Sequence, residues 1–283
     1  MKHNIIKRLA LGFGALVVVL PSMSGIAAAQ TAPSTEAPTG KYVALGDSVA
    51  AGAGLPTGPN SGDAQCQRSS QAYAYGVAEA ANLQLKHVAC GGATADDMFT
   101  TQQVGNATIR AQLDAAFEGG TPDLITITVG ANDMRWSDFL KVCLSDQNCD
   151  NRWYGYTVDA LLVGLRAKLA YTLASIDYRS HGDKTPKVII TGYYNPVSQA
   201  CTGPIRTLSS GEVNWISGQI NKLNRTIQST TGWYSFAKYA PVDFSGHDIC
   251  SGRSWIQGVG WPAPFHPSAD GQKAMAAAVA QKL

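Results

Sequence analysis

Four short motifs hold residue types that together can carry out acyl transfer. They are Gly46-Asp47-Ser48, Gly91-Gly92, Asn132-Asp133 and Phe265-His266. A serine hydroxyl is a poor nucleophile at neutral pH, so Ser48 requires a general base, and His266 is the candidate. The backbone N–H groups of Ser48 and Gly92, with the Asn132 side-chain amide, are candidate donors to the developing oxyanion.

The predicted secondary structure brings these motifs to one edge of a sheet. Apolar and β-branched runs predict strands at residues 42–45, 85–89, 124–129, 187–192 and 234–237. Helical spacing of apolar residues predicts helices at 71–81, 108–117, 155–178, 209–230 and 268–282. This alternation indicates a parallel sheet with helices on both faces. The first three motifs follow the first three strands, where ligands bind in such sheets.

Each motif alone also fits a purely structural role, as a tight turn or a helix cap. All four fall at a predicted strand end or helix start, and this conjunction favours a catalytic site. His247 is the alternative general base. Residues 53–70 and 134–156 should flank the cleft, and the second segment carries the aromatic residues Trp136, Phe139, Trp153 and Tyr156.

Composition excludes several classes of protein. The 283 residues are 45% hydrophobic and only 15% charged, so the chain is neither disordered nor fibrous. The net charge is +2, and it becomes −1 without the first 29 residues, which carry three basic and no acidic side chains. A nearly neutral chain lacks the electrostatic footprint of a protein that binds nucleic acid or anionic membrane.

The amino-terminal residues have the pattern of a secretory signal peptide. A basic start, an apolar run of about 12 residues and a small-residue site predict a signal peptide over residues 1–29. An uncleaved membrane anchor is the alternative. Residues 30–39 are expected to be a flexible leader, and residues 40–283 one catalytic domain. In a secreted chain the six cysteines favour three disulfides, and they contain no CxxC pair of the kind found in zinc sites.

Across residues 40–283 the chain resembles an SGNH hydrolase, the superfamily that includes the GDSL lipases and esterases. The resemblance rests on Ala44-Leu45-Gly46-Asp47-Ser48, Cys90-Gly91-Gly92-Ala93-Thr94, Val129-Gly130-Ala131-Asn132-Asp133 and His266-Pro267-Ser268. The chain is similar in particular to secreted actinobacterial esterases and lipases with three disulfides. The resemblance implies a flavodoxin-like three-layer α/β/α sandwich with a five-stranded parallel sheet, and it implies no metal or organic cofactor.

One position departs from the pattern of many family members, which have an aspartate three residues before the histidine. Here that residue is Ala263. By resemblance to some secreted members, we expect the Ala263 backbone carbonyl to orient His266, with that of Trp261 as the neighbouring alternative. The site would then be a dyad, unless a remote carboxylate from Asp243, Asp248 or Asp270 completes a triad.

The fold that the resemblance implies also suggests a disulfide map. Fifteen connectivities are possible for six cysteines. Cys143 and Cys149 lie in one loop, whereas the other four cysteines follow strands that should be neighbours. The predicted pairs are Cys66–Cys90, Cys143–Cys149 and Cys201–Cys250.

These observations predict a secreted serine esterase or lipase that forms an acyl-enzyme on Ser48. A carbohydrate acetylesterase of the same fold and a non-catalytic secreted binding domain are the alternatives. The expected partner is a small-molecule or lipid ester. We expect a monomer with no nucleic-acid partner and no membrane span after removal of the signal.

Overall fold

The structure is a computed structural model that describes residues 37–60, 62–145, 149, 152–180, 184–202 and 208–283. These belong to one compact unit, Ala37–Leu283. The predicted signal peptide and most of the predicted leader lie outside the described residues. Within those residues, no helix has both the length and the apolar character required to cross a membrane.

The central sheet forms from short runs of β-branched and aliphatic residues. In chain order the strands are β1 (Gly40–Gly46), β2 (Leu83–His87), β3 (Gln102–Val104), β4 (Ala107–Ile109), β5 (Leu124–Thr128), β6 (Lys187–Thr191) and β7 (Ala237–Ala240). Five of them form a parallel sheet in the order β2-β1-β5-β6-β7. Every side chain of β5 is buried, as expected for a central strand covered on both faces.

Helices cover both faces of the sheet. They are α1 (Ser48–Ala51), α2 (Asp63–Cys66), α3 (Tyr73–Ala81), α4 (Gln112–Ala116), α5 (Trp136–Ser145), α6 (Arg152–Arg179), α7 (Ser210–Thr231) and α8 (Ala269–Ala280). Helix α3 packs against α8, and α6 packs against α7. The predicted flavodoxin-like three-layer sandwich is therefore confirmed.

Several elements differ from the sequence-based prediction. The last strand lies three residues later than expected, because Tyr234 and Phe236 pack edge to face and the Tyr234 hydroxyl donates to the Ala170 carbonyl. The predicted helix over 108–117 is reduced to α4, since β3 and β4 form an antiparallel hairpin just before it. The second strand spans Leu83–His87 and not the predicted 85–89, and helices α1, α2 and α5 were not predicted.

The carboxyl ends of β1 and β5 approach each other closely at Gly46. This residue has φ +134°, and a Cβ there would collide with the Thr128 carbonyl oxygen. The side chain of Gln112 pairs with the same backbone, accepting from the Gly46 N–H at 2.7 Å and donating to the Gly46 carbonyl at 2.9 Å. The end of β1 is thus held by β5 on one side and a side-chain amide on the other.

Three disulfides join loops around the sheet. The bonded pairs are Cys66–Cys90, Cys143–Cys149 and Cys201–Cys250. They are the three pairs that the family resemblance implied. The first pair ties α2 to the segment after β2, and the second closes the connection between α5 and α6.

The close approach at Gly46 predicts a large effect of added bulk. Gly46→Ala should destabilise the fold by at least about 4 kcal/mol, because the methyl group meets fixed backbone and φ is unfavourable for alanine. Gly105→Ala is the matched control, since Gly105 also has positive φ but open space around it. It should cost only about 1–2 kcal/mol in urea unfolding. Equal costs would contradict the steric explanation.

Candidate active site

Ser48 lies where the chain leaves β1 and begins α1. The Asp47 side chain caps this helix by accepting the Val49 N–H at 2.9 Å. Strand β1 has β2 on one side and β5 on the other, so Ser48 sits at the point where the strand order reverses. Open parallel sheets bind ligands at such a switch point. The Ser48 N–H has no acceptor among the described residues.

His266 reaches Ser48 from the segment before α8. Its Nε2 atom lies 2.7 Å from the Ser48 Oγ, a hydrogen-bonding distance. Residue Gln257 fixes this segment through two backbone hydrogen bonds, from its N–H to the His266 carbonyl and from the Phe265 N–H to its own carbonyl. The structure therefore brings together the candidate nucleophile and the candidate base, which are 218 residues apart.

The other imidazole nitrogen contacts a different carbonyl from the one predicted. The Pro264 carbonyl oxygen lies 3.1 Å from the His266 Nδ1, whereas the Ala263 carbonyl accepts the His266 backbone N–H at 3.3 Å. Phe265 adopts φ +66°, and the segment turns there so that Pro264 faces the ring. The Ala263 carbonyl still favours the protonated imidazole, but Trp261 contributes no hydrogen bond to His266.

No carboxylate in the described part of the chain contacts the imidazole. The three acidic candidates have other partners: Asp243 accepts from Ser245, Asp248 from the Cys250 N–H, and Asp270 from Lys273. Burial lowers the pKa of the His266 imidazole below its ordinary 6.5, and the Pro264 and Ala263 carbonyls only partly oppose this shift. The shift favours the neutral ring, the form that can accept a proton.

His247, the alternative base, is engaged elsewhere. Its ring stacks on Trp255 with centroids 3.7 Å apart, and its Nδ1 lies 2.7 Å from the Arg253 carbonyl oxygen. The structure does not bring it to Ser48.

Asn132 and Gly92 lie on the loops that follow β5 and β2. One hydrogen of the Asn132 side-chain amide points to the Ala93 carbonyl at 2.8 Å, which leaves the second N–H for another acceptor. Gly92 has φ +79°, and its N–H has no acceptor among the residues described. Asp133 accepts the Ala95 N–H at 2.9 Å, so the two loops are joined.

Comparisons with known proteins show the family to which the chain belongs. The sequence profile of the GDSL-like lipase/acylhydrolase family matches residues 44–274. This chain belongs to that family. Lipase 2 of Streptomyces coelicolor is 31% identical over 88% of each chain. The extracellular lipase of Streptomyces rimosus has a solved structure with TM-score 0.71 and 26% identity, covering 87% of this chain and 100% of its own.

A second similar structure is phospholipase A1 from Streptomyces albidoflavus. It is 28% identical, with TM-score 0.69, and the match covers 86% of this chain and 99% of that one. With the family and these relatives, the protein is a carboxylic ester hydrolase. The predicted SGNH/GDSL membership is confirmed.

The cleft beside Ser48 in this GDSL-family enzyme is small and mainly apolar. It encloses about 110 Å³, and its walls include Trp136, Leu140, Tyr194, Ile220 and Phe265. Of the aromatic residues predicted to flank it, Trp136 does so. Phe139 instead packs in the core against Trp215, Tyr156 is exposed, and the side chain of Trp153 lies outside the described part. The described residues of segment 53–70 do not line it.

Tyr193 is a residue of the site that the sequence motifs did not indicate. Its buried hydroxyl donates to the Asp47 carboxylate and accepts the Ala131 N–H at 3.3 Å. The Asn224 side chain pairs with both the N–H and the carbonyl of Tyr193. Tyr193 therefore joins the Ser48 turn to the Asn132 loop.

Asp47, which precedes the candidate nucleophile, has a strongly shifted pKa. Burial raises the pKa of its carboxyl from 3.8 to about 7, although hydrogen bonds from Tyr193 and from the Val49 and Ala50 N–H groups oppose the shift. Between about pH 4 and pH 7 the Asp47 carboxyl is therefore protonated in the folded protein but ionised in the unfolded chain. The folding stability that comes from this difference in protonation is lost as pH rises through that range.

Tyr193→Phe tests this coupling. Without the hydroxyl donor the pKa of Asp47 should rise further, so the variant should lose about 1–3 kcal/mol near pH 8.5 and distinctly less near pH 5. Urea unfolding at both pH values measures the difference. Tyr194→Phe is the control, because the Tyr194 hydroxyl donates to the Phe265 carbonyl and not to a titrating group. Its cost should not change with pH, and an equally flat cost for Tyr193→Phe would contradict the coupling.

Proposed function

We propose that this enzyme hydrolyses lipid-type carboxylic esters through an acyl-enzyme on Ser48, with His266 as general base. The observation that carries the proposal is the 2.7 Å hydrogen bond between the Ser48 Oγ and the His266 Nε2. It supplies what a serine nucleophile lacks at neutral pH, an adjacent base that can accept its proton.

In the first half-reaction the Ser48 Oγ attacks the ester carbonyl carbon while its proton moves to the His266 Nε2. The tetrahedral intermediate collapses, the bond to the leaving alcohol breaks, and His266 returns the proton to that alcohol. In the second half-reaction His266 takes a proton from water, whose oxygen attacks the acyl-Ser48 carbonyl. When the second intermediate collapses, the bond between the acyl carbon and the Ser48 Oγ breaks, His266 returns its proton to that Oγ, and the carboxylic acid leaves.

Three donors would stabilise the oxyanion: the N–H groups of Ser48 and Gly92 and the free N–H of the Asn132 amide. The first two have no protein acceptor in the described structure, so they need not break a hydrogen bond to receive the oxyanion. One such donor typically contributes about 3–4 kcal/mol to transition-state stabilisation.

The catalytic pair works as a dyad in this proposal. The Pro264 carbonyl accepts the Nδ1–H, which leaves the Nε2 lone pair directed at Ser48. A neutral carbonyl stabilises the imidazolium less than a carboxylate does.

An apolar acyl group suits the cleft. A cavity of about 150 Å³ lined by apolar residues is known to hold benzene, so a space of about 110 Å³ takes the first few carbons of an acyl chain. The rest of a longer chain would lie across the rim. The similar proteins are named lipases and a phospholipase A1, which supports glycerolipid esters as the substrate class.

We also propose that the enzyme is secreted. The basic and apolar pattern of residues 1–29 supports export, and the three disulfides fit an oxidising compartment.

A fluorophosphonate ester tests the proposed nucleophile. It should add its mass to Ser48 in the wild type and nowhere in Ser48→Ala, as measured by peptide mass spectrometry. Asn132→Ala should lower kcat on p-nitrophenyl butyrate by about 10²–10³-fold with a small change in KM. Labelling elsewhere would refute the assignment of Ser48. A sharp preference for acetyl over longer p-nitrophenyl esters would instead favour a carbohydrate acetylesterase.

The acid limb of the pH profile tests the proposed base. Activity requires neutral His266, so kcat/KM should fall as pH drops, with a midpoint below the ordinary histidine value of about 6.5 because burial lowers this pKa. Asp243→Asn, Asp248→Asn and Asp270→Asn should each leave turnover within about threefold. A loss of about a thousandfold in one of them would show a triad.

A further inference from the structure

The segment that carries His266 also exposes two large apolar side chains. Val259 is 72% exposed and Trp261 is 54% exposed. Single exposed apolar residues are common on protein surfaces and require no explanation. These two are unusual because they lie two residues apart on one loop, residues 258–264, that leads directly into the catalytic segment.

This loop forms part of the rim of the cleft. Its last residue, Pro264, lines the cleft together with Phe265 and His266. The tip of the loop is therefore only a few residues from His266 in the sequence.

The loop has a defined shape. The Trp261 N–H donates to the Gly258 carbonyl at 3.0 Å, which closes a turn at the tip. Gln257 anchors its base, donating from its side chain to the Ala53 carbonyl at 2.7 Å and to the Pro267 carbonyl at 2.9 Å. Pro262 and Pro264 restrict the backbone between them. The apolar side chains are thus held outward at little further cost in conformational entropy.

The loop carries no charged side chain. Residues 254–268 contain no Asp, Glu, Lys or Arg, and the chain without its first 29 residues has a net charge of −1. Nothing in this segment selects an ionic partner. A tryptophan, with an apolar body and a polar N–H, favours the boundary between water and lipid.

We propose that Val259 and Trp261 insert into an uncharged lipid–water interface and thereby place the Ser48 cleft on aggregated ester substrate. This rests on the proposed function only in that the substrate is a lipid ester. Binding would come from burial of apolar area, since interfacial affinity rises with the area buried. The loop would not take part in the bond-making steps.

The test separates binding from catalysis. Sedimentation with vesicles of dialkyl-ether phosphatidylcholine, which has no ester to cleave, measures partitioning alone. The double variant Val259→Ser/Trp261→Ser should bind these vesicles at least about tenfold more weakly than the wild type. Its kcat/KM on soluble p-nitrophenyl butyrate should stay within about twofold, whereas its rate on emulsified tributyrin should fall about as far as vesicle binding.

Trp233→Ser is the matched control. Trp233 is 59% exposed, but it lies between α7 and the start of β7. It is therefore at the amino-terminal ends of the parallel strands, whereas Ser48 is at their carboxyl ends. This variant should bind vesicles as the wild type does. Binding should also be unchanged by anionic phosphatidylglycerol or by salt, because the loop carries no charge.

Four results would overturn the inference. They are vesicle binding that survives in the double variant, a wild type that does not bind vesicles, binding that depends on anionic lipid, and equal losses on soluble and emulsified esters. A wild type that binds vesicles but cleaves no soluble ester would refute the proposed function and leave the interfacial role standing.

Discussion

The geometry of the site depends on the contact between the ends of β1 and β5. The Asp47 N–H donates to the Thr128 carbonyl at 2.9 Å, and only a glycine at position 46 leaves room for that approach. This contact sets Ser48 beside the loop that carries Asn132. The Tyr193 hydroxyl then joins the same two loops from β6, and the Cys90 N–H ties the Gly92 loop to the Gly46 carbonyl at 3.0 Å. Four strand ends are thus fixed to one another by hydrogen bonds.

The candidate nucleophile and base could be predicted because short motifs carry them at recognisable places in an alternating pattern of strands and helices. The sheet was predictable for the same reason, since β5 and β6 are short runs rich in β-branched and aliphatic residues. Tyr193 and Gln112 were not, because each acts through contacts with residues far away in the chain. The sequence also could not show that the Pro264 carbonyl, and not the Ala263 carbonyl, contacts the His266 Nδ1, because this contact depends on the φ angle of Phe265.

The protein uses few charges close to the reacting atoms. Asp47 is a buried carboxyl next to Ser48, and its raised pKa limits the negative charge that it places beside the proposed oxyanion. His266 is oriented by a carbonyl instead of a carboxylate. The cleft walls are apolar, and the adjacent loop contains no charged side chain. A site of this kind suits an uncharged substrate in surroundings where ions are poorly solvated.

The pairing of Gln112 with the Gly46 backbone has a consequence for the evolution of this enzyme. A side-chain amide presents one acceptor and one donor side by side, which match the N–H and the carbonyl of a single residue, Gly46. Glutamate has the same shape but lacks the donor, and it would add a second carboxylate near Asp47. Leucine would remove both of these hydrogen bonds and leave the Gly46 carbonyl with the Cys90 N–H alone. Position 112, which lies in no catalytic motif, should therefore accept almost no replacement as sequences of this kind diverge.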